Sequence, residues 1–129
     1  MNNKGQSLIL FVLLVPLIFL IILMVYDIGS IALLKNELDD INYLTLDYGI
    51  DHLDDENINS KLEEIIIKNK KVIDISINVD DEKIYIVLSD KINNKLSLIN
   101  KLDAFLVKSS YVGYLEDGKK IIKRINRGD

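Results

Sequence analysis

The sequence predicts an α+β fold in which a long, apolar N-terminal helix leads into a small domain of two β-hairpins and short helices. Three observations carry that expectation. An uncharged apolar run fills the first quarter of the chain, a three-and-four spacing of apolar residues continues beyond it, and the C-terminal half switches to strict alternation. The run belongs to residues 7–53, a spanning helix that continues as an amphipathic one. Residues 1–6 precede it, and residues 54–129 form the small α+β domain.

From Gly5 to Tyr26 no residue is charged, and Leu8 to Val25 is almost wholly Leu, Ile, Val, Phe and Met. This approaches the roughly 20 apolar residues that a spanning helix requires. Each central Leu, Ile, Phe or Val contributes about −0.3 to −0.6 kcal/mol to insertion, so a dozen or more favour the membrane by several kcal/mol. A cleavable secretory signal would be shorter, about 7 to 15 apolar residues, with a small-residue site after it. The segment "YDIGSIALLK" offers no such site. Pro16 lies inside the run, where a membrane helix tolerates it with at most a mild kink. Lys4 stands before the run and Asp27 begins the acidic stretch after it, so the positive-inside rule leaves the head in the cytoplasm and the C-terminal domain outside.

Helical periodicity then persists. Ile31, Leu34, Leu38, Ile41, Thr45, Tyr48 and His52 recur at alternating steps of three and four, with acidic residues between them. One helix is expected from near Gln6 to about Leu53, roughly 70 Å long. Its lower half is an interface, and packing on the chain's own domain is favoured over a short coiled coil. Gly29 and Gly49 are points where it could bend or end. After the polar break "HLDDENINS", Ser60 and Glu63 form a capping-box pattern for a helix from Ser60 to Lys70, with Leu62, Ile65 and Ile66 on its apolar face.

Alternation takes over at "VIDISINVDDEKIYIVLS". Ile73, Ile75, Ile77 and Val79 face one way, Ile84, Ile86 and Leu88 mark the return strand, and the turn falls at Asp80 to Glu82. The spacing of Ile92, Leu96, Ile99, Leu102 and Leu106 predicts an amphipathic helix from about Asn93 to Val107. A second hairpin follows in "SYVGYLEDGKKIIKRI", with Asp117-Gly118 supplying a type I′ turn. A domain of fewer than about 80 residues without disulfides needs the long helix to complete its core.

Composition excludes several functions. The 129 residues leave no room for a large enzyme, and the absence of cysteine removes disulfides and thiolate metal sites. His52 is the single histidine, read as a satisfied helix-end residue. No metal, cofactor or catalytic residue is assigned. The acid pairs Asp39/Asp40, Asp54/Asp55, Asp80/Asp81 and Glu63/Glu64 are placed in turns or on a wet helix face, and an enzyme ranks last. The basic run from Lys119 to Arg127 is too sparse for nucleic acid.

The order of parts suggests a type IV pilin-like architecture, and one stretch narrows it. "KGQSLILFVLLVPLIFLIILMVYDIG" resembles the head of TadE/TadG-like proteins of the tight-adherence (Flp) pilus and secretion machinery. Lys4, Gly5, Gln6, Ser7, Leu8, Ile9, Phe11 and Pro16 stand in matching places, and "YDIGSIALLKNELDDI" resembles the family's transition into a long amphipathic helix. The match covers about residues 4 to 50. It implies a minor pseudopilin-like or accessory subunit that meets the membrane, other pilus or secretion-system subunits and a prepilin peptidase, with processing between Gly5 and Gln6. The departure is Leu10, where the family has a glutamate. That carboxylate is thought to neutralise a processed neighbour's amino terminus, so Leu10 turns the expectation from filament entry toward an accessory role. The alternative is a single-pass, membrane-anchored extracytoplasmic binding module unrelated to pili, with Lys119 to Arg127 against an acidic surface.

Overall fold

The computed structural model describes residues 3–92 and 106–125. Helix α1 runs without interruption over Asn3–Asp51, with Pro16 inside it. Helix α2 spans Ile58–Asn69. Strands β1 (Asp74–Asp80), β2 (Lys83–Lys91), β3 (Leu106–Glu116) and β4 (Lys119–Arg124) form one sheet in sequence order, antiparallel throughout.

The two halves of α1 follow different rules. Leu8 to Val25 remains largely exposed, and this is the one helix among the described residues long and apolar enough to cross a membrane. The second half is the backbone of the domain's core. Leu34, Leu38, Ile41, Leu46 and Ile50 are buried on it, and Ile31 and Tyr48 pack alongside, so the expected interface is intramolecular. The sheet completes the core with Ile84, Ile86 and Leu88 from β2 and Val107 from β3. Ile58, Leu62 and Ile66 bring in α2.

The helix continues to Asp51 and is not interrupted at Gly49. A Cβ there would lie 2.7 Å from Ile84 Cδ1 and 3.1 Å from Leu62 Cδ2. The missing side chain lets α1 approach both β2 and α2 closely. Gly113 plays the same part from the sheet, where a Cβ would meet Leu46 and Ile50 at 3.1 to 3.2 Å.

Both hairpin turns fall where alternation broke. Asp117 and Gly118 take φ values of 51° and 77°, as a type I′ turn requires. In the first hairpin Asp81 and Glu82 adopt φ of 48° and 65° without a glycine. The β1 register pairs Ile75 with Leu88 and Ile77 with Ile86, whereas Ile73 lies before the strand and is exposed.

Two expectations need correction. The capping box is absent: α2 begins earlier, its N-cap is Asn57, and no side chain caps it. Instead Asp55 Oδ1 accepts the Asn57 N–H at 2.9 Å, while the other oxygen accepts from Lys61. The predicted helix from Asn93 to Val107 lies mostly outside the described residues, but its last two positions are strand. Leu106 and Val107 pair with Lys91 and Asp90, because joining β2 satisfies their backbone groups in the ladder.

Candidate functional site

The residues that carry the resemblance share one helical segment. Lys4, Gly5, Gln6, Ser7, Leu8, Ile9, Leu10 and Phe11 are all exposed in the first turns of α1. A Cβ at Gly5 would meet nothing within 4 Å, so the glycine is not required there by packing. Leu10 and Phe11 are 59% and 64% exposed, which places two large apolar side chains where a lipid phase would receive them.

Asp27, the first acid after the apolar run, is buried. It is 5% exposed, and its Oδ1 has no hydrogen-bond partner among the described residues.

Above it, α1 meets the sheet through a buried polar cluster that interrupts the apolar seam. Ser109 Oγ donates to Asp39 Oδ1 at 2.6 Å, and Arg124 Nη2 donates to Asp39 Oδ2 at 2.9 Å. Lys35 adds an ion pair to Asp39 at 3.5 Å and donates to the Lys108 carbonyl. One turn on, the Asn42 amide donates to the carbonyls of Ile86 and Ser109 at 3.1 and 3.2 Å. Thr45, on the same face, donates back to the Ile41 carbonyl at 2.6 Å.

This geometry ties one helix height to one strand register, since each donor reaches its acceptor in a single pairing. Asp39 therefore belongs at the helix–sheet junction and not on the wet face. The sequence held one signal for this: Asn42 and Thr45 fall four and seven residues after Leu38, on the buried face. Replacing Asp39 with alanine should leave Ser109 Oγ, fully buried, without its acceptor. We expect a loss of about 1–3 kcal/mol in denaturant unfolding of the full chain in detergent. An unchanged midpoint would contradict the assignment.

Two cations of the basic hairpin pair with α1 at the surface. Lys120 Nζ reaches Asp51 Oδ2 at 2.7 Å and Asp47 Oδ1 at 3.0 Å, and those two carboxylates raise its pKa. Arg124 is held above its ordinary value by Tyr111 first and then by Asp39. Lys119 and Lys123 remain exposed. Across the domain, Lys61 and then the Asn57 N–H depress the Asp55 carboxyl.

These shifts set a stability window. Asp55 has a lowered folded pKa, so its contribution is present above about pH 3.9 and is lost as pH falls through the folded value. Lys120 has a raised one, so its contribution is complete below about pH 10.4 and is lost as pH rises through the folded value. Melting of the full chain in detergent should show a plateau between those limits and fall at both ends. Lys120→Gln should reduce the alkaline edge and leave the part that Lys61 contributes through its pairing with Asp55.

His52 is accounted for by its surroundings. Its Nδ1–H donates to the Tyr48 carbonyl at 2.8 Å and its ring stacks on Tyr48 with centroids 4.0 Å apart. Among the described residues no group of three or more His, Cys, Asp or Glu side chains is placed to hold a metal ion. Open clefts among the described residues include three that bear on the charged groups. One of about 420 Å³ lies between α1 and the β2 end and includes Ser30, Leu33, Lys70 and Lys91. A second of about 380 Å³ lies among the turns farthest along α1, over Ile50, Leu53, Val79 and Leu115. The third, about 320 Å³, is on the sheet's outer face and contains Lys83, Tyr85, Val112, Tyr114 and Lys123.

Comparison with known proteins returns no match: no family model fits the chain, and no curated protein or solved structure is significantly similar to it.

Proposed function

We propose that the chain is a minor pseudopilin-like subunit or accessory protein in the assembly of a tight-adherence (Flp)-type pilus or secretion system. The observation that carries this reading is the unbroken helix Asn3–Asp51. One element displays the exposed head Lys4 to Phe11, offers the apolar run to a membrane, and then becomes the core helix of the domain. Such a helix couples the position of the domain to that of the membrane segment, as an assembly subunit requires. In this reading the head is cytoplasmic, the domain lies outside the membrane, and the chemistry is proteolysis performed on the chain by a prepilin peptidase. Leu10 offers no carboxylate to a neighbour's amino terminus, which favours the accessory role over filament entry.

The test is intact mass and N-terminal sequencing of the protein from its native membrane. A chain beginning at Gln6 supports processing at Gly5, and Gly5→Leu should then abolish it. A chain retaining Gly5 removes the peptidase from the proposal. If it also fails to co-purify with secretion-system subunits after mild crosslinking, the pilus reading falls.

A further inference from the structure

The outer face of the sheet and the wet face of α1 are complementary and lie at the same height. In the register, Tyr85 pairs with Val112 and Val112 with Lys123, a row whose alternate neighbours Ile86, Tyr111 and Arg124 face α1. This row therefore points outward. The ammonium groups of Lys83 and Lys123 converge on the Tyr114 ring at 4.9 and 5.6 Å. Neither makes an ion pair among the described residues, so the groove is cationic with an aromatic and aliphatic floor.

The opposite side of the molecule carries the inverse pattern. On α1, Leu33, Tyr43 and Leu44 are 72%, 53% and 57% exposed, beyond the face that packs on the sheet. Asp40 lies between them, exposed and without an ion pair among the described residues, and Asp47 follows one turn above Tyr43, where it shares Lys120 of its own chain with Asp51.

Heights along α1 can be read from the contacts. Arg124 meets Asp39, Asn42 meets Ile86, and Lys120 meets Asp47 and Asp51. The groove strands thus lie beside residues 39 to 51 of their own helix. Two copies whose helices stand in one membrane have these levels aligned, so the groove of one faces the Asp40–Asp47 stripe of the next without any axial shift.

We propose that a second copy of this chain is the groove's occupant. The α1 stripe of one copy seats Asp40 toward Lys123, with Tyr43 and Leu44 against Tyr85 and Tyr114. The contact joins two different surfaces, so it is heterologous and builds a ring or an open row in the membrane plane. This rests on the anchor reading above, which supplies the common plane.

The chain contains no cysteine, so introduced thiols report alone. Two differently tagged full-length copies, Asp40→Cys and Lys123→Cys, are co-expressed in membranes and oxidised mildly. We expect a mixed disulfide between the tags in excess of either self-disulfide. Adding Lys83→Glu to the groove copy should cut its yield about three- to tenfold, because the stripe it faces is acidic. Absence of the mixed disulfide, or equal self-disulfides, overturns the proposal, as does capture of a different protein in place of the second copy. Carbonate extraction of the same membranes separates the premises. A retained chain without the mixed disulfide loses the docking and keeps the anchor, whereas an extracted chain with it keeps the docking and loses the anchor.

Discussion

Replacing Leu38 with alanine should destabilise the domain by about 2–5 kcal/mol, the range for a large-to-small change in a core that collapses only partly around the cavity. Leu38 is fully buried, in the middle of the α1 half that covers the sheet, and belongs to one cluster with Ile86, Leu62 and Val107. Small domains sit near the lower end of the usual 5–15 kcal/mol, so one such change removes a large part of the total. Denaturant unfolding of the full chain in detergent, followed by tyrosine fluorescence, gives the number, and Leu33→Ala is the internal control. Leu33 is 72% exposed on the same helix, so its truncation should shift stability by no more than about 0.5 kcal/mol. Equal effects from the two substitutions would mean that the helix does not pack on the sheet as described.

The contrast between those two leucines shows what a linear pattern holds. A three-and-four spacing identified Leu34, Leu38 and Ile41 as an interface because a helix repeats its face every 3.6 residues, and all three are buried. The hairpins were legible for a similar reason, since alternation and the Asp117-Gly118 pair act within a few residues of each other. Long-range chemistry was not. Asp39 reads as one of many acids on a charged helix until Ser109 and Arg124, distant in sequence, are brought to it. Gly49 reads as a helix breaker until Ile84 and Leu62 arrive where its side chain would have been. Leu106 and Val107 suit a helical spacing and a strand equally, and pairing with β2 decided between them. Processing at Gly5 and Gln6 is an expectation from the resemblance, and the structure adds only that the segment is helical and exposed.

A second large effect is expected in the apolar half of α1. Leu14→Arg together with Ile18→Arg should release the chain from the membrane. The two positions lie one turn apart near the centre of the run, on a helix whose apolar side chains find no protein to pack against. Each arginine costs about 2.5–3.5 kcal/mol at the helix centre, and each lost apolar residue withdraws a further few tenths. Together they match or exceed the several kcal/mol that the whole run contributes. The full chain should then move from the carbonate-resistant membrane fraction to the extractable one.

Leu10→Glu is the discriminating companion. It introduces a charge near the end of the same run, where a side chain can reach the interface and the cost falls, so the protein should stay in the membrane fraction. If both variants were released, the run would be marginal along its length and any charge would suffice. If neither were released, the helix would not be what holds the protein to the membrane, and the head, the span and the domain would have to be understood without an anchor.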